Sequence, residues 1–376
     1  MRSIHISLIC ILALSGCRPD TEVLDPPPAG IGTPYNLQLP GNFPPMAMPP
    51  DNPMTVEGVQ LGRFLFYDGR LSGDNGMSCA SCHSPSLAFT DGKAVSKGID
   101  SIQGTRSTMP LINLGYSHFF FWDGRAATLE KQILEPVKNV IEMHETWPSA
   151  MSKLQSDAAY PTLFDRAFGT GQVDSTLVAK AIAQFIRTMV SGNSPFDKWR
   201  RFEGLIPPDA VAGYDLFTKE GGALNQSIPV AGSTPVIGQG GADCFHCHTE
   251  AAGLFTDEQF HNNGLDTVFN DPGRADVTND PADMAKFKTP TLRNIMVTAP
   301  YMHDGRFANI DEVLDHYNSG GHASPTVDPF MKFTSPDLTL GLTPEKRVQV
   351  KAFLESLTDE EFLNNPAFMD PGPPHL

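Results

Sequence analysis

The chain has 376 residues, 40% of them apolar and 19% charged, which is enough for two or three domains and too long for one small module. Its 33 Gly and 33 Pro stay below the level that marks disorder, so folded domains joined by long loops are expected. With 43 acidic against 27 basic residues and a net charge of −16, the chain repels phosphate backbones and anionic membrane surfaces, which argues against nucleic acid and favours basic proteins or neutral small molecules as partners.

Residues 1–17, MRSIHISLICILALSGC, combine basic Arg2, an apolar run too short to span a bilayer and small residues before Cys17, the pattern of an export signal. The ending Leu14-Ser15-Gly16-Cys17 resembles a bacterial lipoprotein signal, which implies a periplasmic protein held to the membrane only through a lipid on Cys17. Prolines crowd residues 18–53, a tether and extended lead-in. A helix is expected over Thr55–Tyr67, where Val56, Val59, Leu61, Phe64 and Leu65 recur at a spacing of about 3.6 residues. A second is expected over 175–190, with Leu177, Val178, Ala181, Ile182, Phe185, Ile186 and Met189 on one broad face. Residues 221–243, rich in Gly, Ser and Pro, read as a loop. A last helix should start at Thr343-Pro344-Glu345 and bury Val348, Val350, Phe353 and Leu354. Few strands are evident.

Two short motifs carry the chemistry. Cys79-Ala80-Ser81-Cys82-His83 and Cys244-Phe245-His246-Cys247-His248 both match C-x-x-C-H, the attachment signature of c-type haem. On one turn, two cysteines three apart reach the two vinyl groups of a single porphyrin and the adjacent histidine reaches its iron. A four-cysteine zinc site or a redox dithiol would also use paired C-x-x-C, but neither explains a histidine after both pairs. Two covalent haems are therefore expected, with His83 and His248 as proximal ligands and His246 as a solvent-facing spacer. Their separation suggests a duplicated, mainly α-helical chain of two cytochrome c-like domains with long loops, over 54–203 and 204–376.

With these motifs, Phe121-Trp122-Asp123-Gly124-Arg125-Ala126 and Ala299-Pro300-Tyr301-Met302-His303-Asp304-Gly305-Arg306, the sequence resembles the bacterial di-haem cytochrome c peroxidase and MauG-like superfamily over roughly residues 50–360. The resemblance implies a peroxide-binding N-terminal haem, an electron-relaying C-terminal haem and a tryptophan between them, here Trp122. It places a glutamine and a glutamate in the peroxide pocket, here Gln132 and Glu142. Such a pair suits the chemistry, because O–O cleavage needs a group that takes a proton from one oxygen and returns it to the departing one; His144 is the nearby substitute. Classical members carry a histidine about sixteen residues after the first motif that plugs the peroxidatic iron. No histidine lies between Ser84 and Ser117 here, so that plug is expected to be absent, with Met109 either a replacement or a core residue.

At the second haem the classical methionine ligand is replaced by Tyr317, the residue that MauG-like members use; His316, His322 and Met302 are the other candidates. A calcium ion between the domains is implied at Ser107, Thr298 and Pro300, although the family's asparagine is Ser107 here. Arg125 and Arg306 are candidates for haem propionates or ion pairs, and His261 and His303 for backbone hydrogen bonds. The resemblance implies an oxidoreductase that reduces hydrogen peroxide with electrons from a small cytochrome c or copper protein, as a monomer or homodimer. The alternative is a MauG-like enzyme that oxidises tyrosine or tryptophan side chains of a partner protein. A pure electron carrier would leave Glu142 and Gln132 without a task.

Overall fold

The computed structural model describes residues 31–335 and 337–375. The export signal, Cys17 and the first part of the tether lie outside the described residues. No helix among those described is long and apolar enough to cross a membrane.

The first half is built from helix α1 (Val56–Phe66), α2 (Leu129–Lys138), α3 (Trp147–Gln155), α4 (Tyr160–Phe168) and α5 (Ser175–Arg187). The Thr55 side chain accepts the Gly58 amide and so satisfies one of the free donors that begin α1, while Asp174 accepts the Thr176 and Leu177 amides at the start of α5. The second half holds α6 (Pro195–Arg200), α7 (Pro208–Phe217), α8 (Ala275–Thr278), α9 (Ile310–Asn318), α10 (Pro344–Glu355) and α11 (Glu360–Leu363). Strands are confined, among the described residues, to two antiparallel pairs: β1 (Ser227–Ile228) with β2 (Val236–Ile237), and β3 (Phe260–His261) with β4 (Phe287–Lys288). The mainly helical expectation holds.

The two halves repeat one plan. A Cβ on Gly62 of α1 would stand 1.9 Å from the Ala181 carbonyl oxygen of α5, and a Cβ on Gly213 of α7 would stand 1.9 Å from that of Gln349 in α10. Each long helix pair thus touches backbone to backbone at a position only glycine allows. Phe120 pairs with Ala126 and Tyr301 with Phe307 across equivalent turns, and Thr128 or Asn309 then caps the helix that follows, α2 or α9.

Two cores result. The first gathers Leu61, Leu65, Phe66, Phe89, Ile133, Phe164, Ile182 and Phe185, together with Phe362, Leu363 and Phe368 from the far end of the chain. The second gathers Phe196, Phe217, Phe255, Leu314, Val350, Phe353 and Leu354. Within it Arg293, fully buried, places both terminal nitrogens 2.8 Å from the Asp197 carboxylate, a bidentate pair that ties α6 to the loop before residue 295.

Three local expectations change. Val348 is 60% exposed, because α10 meets α7 along the side carrying Gln349, Val350 and Phe353. The 221–243 stretch contains the β1–β2 hairpin. Helices α2 to α4, α6, α7 and α9 were not apparent from periodicity, since their apolar faces are short and interrupted by proline or charge.

Candidate active site

Each C-x-x-C-H motif folds as a single tight turn. His83 and Cys82 amides donate to the Cys79 carbonyl at 3.0 and 3.2 Å, and the His248 amide donates to that of Cys244 at 3.0 Å. All four thiols are free and half-buried. They do not gather into one tetrahedral set among the described residues, which removes the zinc alternative. His83 Nδ1 donates to the Phe89 carbonyl at 2.7 Å and His248 Nδ1 to that of Phe255 at 3.3 Å. That contact fixes the tautomer and leaves Nε2 as a lone-pair donor. Burial lowers both imidazoles, His248 to about 4, so they stay neutral, the form that ligates a metal.

Beside the second motif lies a mostly apolar cavity with about 1450 Å³ of empty space, open mouth included, lined by Cys244, Cys247, His248, Met302, His303 and Tyr317. Its apolar wall beside two thiols and an imidazole suits a porphyrin. The residues therefore fit a covalently held haem: two thiols, a neutral imidazole and a wide apolar slot.

Tyr317 enters the cavity from α9, and its hydroxyl accepts from Asn263 Nδ2 at 3.2 Å. Burial pushes its phenol up to about 12, so the phenolate forms only against a positive charge in the cavity. Asn263 Nδ2 also lies 3.3 Å from Met302 Sδ, and the Asn263 carbonyl is 3.0 Å from His316 Nε2. Asn263, missed in the sequence because it belongs to no motif, thus positions three of the four residues considered for the sixth ligand.

On the first side, burial followed by the charges of Cys82 and Glu142 pushes the Cys79 thiol up to about 12, which places Glu142 near the motif. Burial raises the Glu142 carboxyl itself, against the Asn139 Nδ2 donor at 2.7 Å. The Ile99 amide donates to the Glu142 carbonyl at 3.0 Å, so the 96–100 loop packs on the glutamate segment. Gln132 is half-buried on α2. His144 is half-exposed, with Nδ1 2.5 Å from Asp100. Met109 instead lines a small cavity with Ser117, Glu258 and Lys288.

Trp122 lines the second cavity although its turn belongs to the first half. Its Nε1 donates to the Ser107 carbonyl at 2.8 Å, and the Ser107 amide donates to the His303 carbonyl at 2.7 Å. Thr298 Oγ1 donates to the Ile295 carbonyl at 3.1 Å.

For the two arginines the ion-pair alternative holds, and three other expectations are revised. Arg125 pairs with Asp123 at 3.0 Å and stacks on Phe121, while Arg306 pairs with Asp266 and Asp304 at 2.7 Å. His261 donates to two carboxylates, Asp257 at 2.8 Å and Asp328 at 2.5 Å, and not to backbone; burial would lower its pKa, but these two hydrogen bonds lift it to about 12. His303 stacks on Phe287 at 3.7 Å. His246 is no solvent-facing spacer: its side chain is 13% exposed. Its Nε2 accepts from Lys332 Nζ at 3.2 Å, and the same ammonium donates to Glu220 at 2.6 Å and Asp243 at 2.9 Å. These three acceptors are spaced for a metal, but all three protons of Lys332 already fill the gap.

Residues 56–204 match the family model described as di-haem cytochrome c peroxidase. The methylamine utilization protein MauG of Methylorubrum extorquens is 36% identical over 83% of this chain and 81% of its own length. Cytochrome c551 peroxidase of Nitrosomonas europaea is 33% identical over 70% of this chain and 73% of its own. A crystal structure of a MauG-like protein associated with microbial copper homeostasis superposes with a TM-score of 0.79 at 33% identity, covering 90% of this chain and 99% of that one.

Proposed function

The chain belongs to the di-haem cytochrome c peroxidase and MauG family, an oxidoreductase family whose members imply two haem c groups, and on that basis we propose that it reduces hydrogen peroxide at the first haem with electrons that arrive through the second. The observation that carries this reading is Glu142: a half-buried carboxyl with a raised pKa, close to the first motif, beneath a loop that contains no histidine to block the iron.

His83 and His248 would hold the two irons through Nε2, Cys79, Cys82, Cys244 and Cys247 would bear the thioether bonds, and Tyr317 would be the second protein ligand in the second cavity. When bound, the haems supply irons that take peroxide at one site and exchange single electrons at the other. The Glu142 carboxylate takes the proton of the incoming peroxide, Gln132 orients that peroxide, and the glutamate returns the proton to the departing oxygen, which leaves as water. Trp122, anchored to Ser107, is the coupling residue between the two haem sites. Two electrons from a small cytochrome c or copper protein and two protons complete the conversion of one peroxide to two waters. Each core with its motif is read as one cytochrome c-like domain, 54–203 and 204–376. We place the protein in the periplasm, lipid-anchored through Cys17, and assign a calcium ion to Ser107, Thr298 and Pro300, to be checked by metal analysis of the purified protein.

Tyr317 in the cavity supports a second reading, in which the same oxidant attacks tyrosine or tryptophan side chains of a partner protein, consistent with the MauG relative. The deciding experiment mixes the fully oxidised di-haem protein with one equivalent of peroxide and records electron paramagnetic resonance for wild type, Tyr317→Phe and Glu142→Gln. A high-spin signal from one haem, and peroxide consumption without prior reduction that Glu142→Gln slows by about 10²–10⁴-fold, are expected. Two low-spin signals, with no reaction until one haem is reduced, would overturn the open-site reading. A persistent oxidised state in wild type that Tyr317→Phe abolishes favours the protein-oxidising alternative.

A further inference from the structure

The wall of the second cavity between residues 328 and 333 has an aromatic edge that the proposed cycle has not used. Phe330, 39% exposed, lines the cavity and stacks on His246 with ring centres 4.1 Å apart and planes 12° from parallel. His246 in turn lies 4.1 Å from the Phe245 ring and stands inside the second motif, next to Cys247. One continuous π-contact therefore runs from solvent to the point where the cofactor is attached.

The stack is held firmly. Lys332, with no exposed side-chain surface, spends its three protons on Glu220, Asp243 and His246 Nε2, so His246 cannot swing away without leaving a buried ammonium underbonded. Asp328 fixes the other end of the loop by accepting from the Phe330 amide at 2.8 Å and from His261. Behind the port, four largely buried carboxylates (Glu220, Asp243, Asp257 and Asp328) are paired with Lys332 and His261, and the chain as a whole carries a net charge of −16.

We propose that Phe330 is the electron-entry port: a small redox protein with a basic face around its own centre docks on this exposed ring, and its electron reaches the second haem along the Phe330–His246 contact. The inference rests on the peroxidase reading. Each docking event oxidises the donor by one electron and reduces the second haem by one, with no proton moved in the stack. An exposed apolar ring on a chain of net charge −16 offers a central contact, and the overall charge supplies electrostatic guidance for a partner with a basic face.

The test is stopped-flow reduction of the oxidised di-haem protein, without peroxide, by a reduced small basic cytochrome c and separately by dithionite. In Phe330→Ala the cytochrome rate should fall at least about 10-fold, as for loss of a central interface residue, and by far more than the dithionite rate, with the potential of the second haem measured in each variant so that any shift is separated from the loss of docking. The wild-type cytochrome rate should also fall steeply with salt. Phe330→Leu, which keeps the apolar packing and removes the ring, should show the same selective loss. Equal cytochrome rates in wild type and both variants, or an equal loss with dithionite, would overturn the proposal. The peroxidase reading is scored apart, by peroxide consumption with a small chemical reductant; failure there sinks that reading and leaves the reduction measurement valid.

Discussion

His83 and His248 are each held by a backbone carbonyl on the far side of the ring, so imidazole orientation is set by the chain even before iron is present. Glu142 has the opposite character, because burial keeps its carboxyl above the ordinary range. If its carboxylate is the base that accepts the peroxide proton, the rate of the peroxide step must rise with pH through that elevated value. The pH profile of wild type should show this acid limb and that of Glu142→Gln should lack it. His261 titrates in the reverse sense. Its folded pKa of about 12 lies far above the unfolded value of about 6.5, so its contribution to stability is complete below pH 6.5 or so and drains away as pH rises toward 12. Denaturant midpoints of wild type and His261→Gln should therefore differ most near neutral pH and converge in strong alkali.

At the scale of elements, the two glycine contacts explain why α1 with α5, and α7 with α10, form the framework of each half. A methyl group at either position must displace a carbonyl oxygen only 1.9 Å away, and overpacking of this kind costs about 1–3 kcal/mol or more. Gly62→Ala and Gly213→Ala are each expected to lower the free energy of unfolding by that amount, read from equilibrium denaturation. The Arg293–Asp197 pair makes a sharper prediction. Asp197 is held below the usual carboxylate range, burial opposing and the Arg293 and Ser194 hydrogen bonds prevailing. Removing the guanidinium in Arg293→Met strands that buried charge and should cost about 3–5 kcal/mol, read from equilibrium unfolding.

At the scale of the whole molecule, the C-terminal segment joins the first core. Phe362 and Phe368 meet the Phe89 ring edge-on at 5.8 and 5.9 Å, and it is the Phe89 carbonyl that receives the His83 proton. Asp359 Oδ2 anchors this tail by accepting from Ser191 Oγ, Gly192 N and Asn193 N at 2.9–3.0 Å. Residues 359–368 therefore buttress the first site, about 280 positions upstream in sequence. Phe362→Ala should cost about 3–5 kcal/mol and broaden the spectrum of the first haem while leaving that of the second intact.

The two C-x-x-C-H turns were legible in the sequence because the motif is a purely local device: one turn of chain presents two thiols and an imidazole together. Helices α1, α5 and α10 were legible for a related reason, since capping residues and a long apolar period act within a few residues of themselves. The candidate acid/base pair and Tyr317 were reached only through resemblance to a family, as no local pattern marks them. Tertiary structure alone decided the rest. It brought Asn263 to Tyr317, buried His246 under Lys332, spread the Phe330 ring across the cavity mouth and set the chain's last helix against Phe89. Each of these joins segments tens to hundreds of residues apart, where the choice of partner depends on packing that no short stretch of sequence encodes.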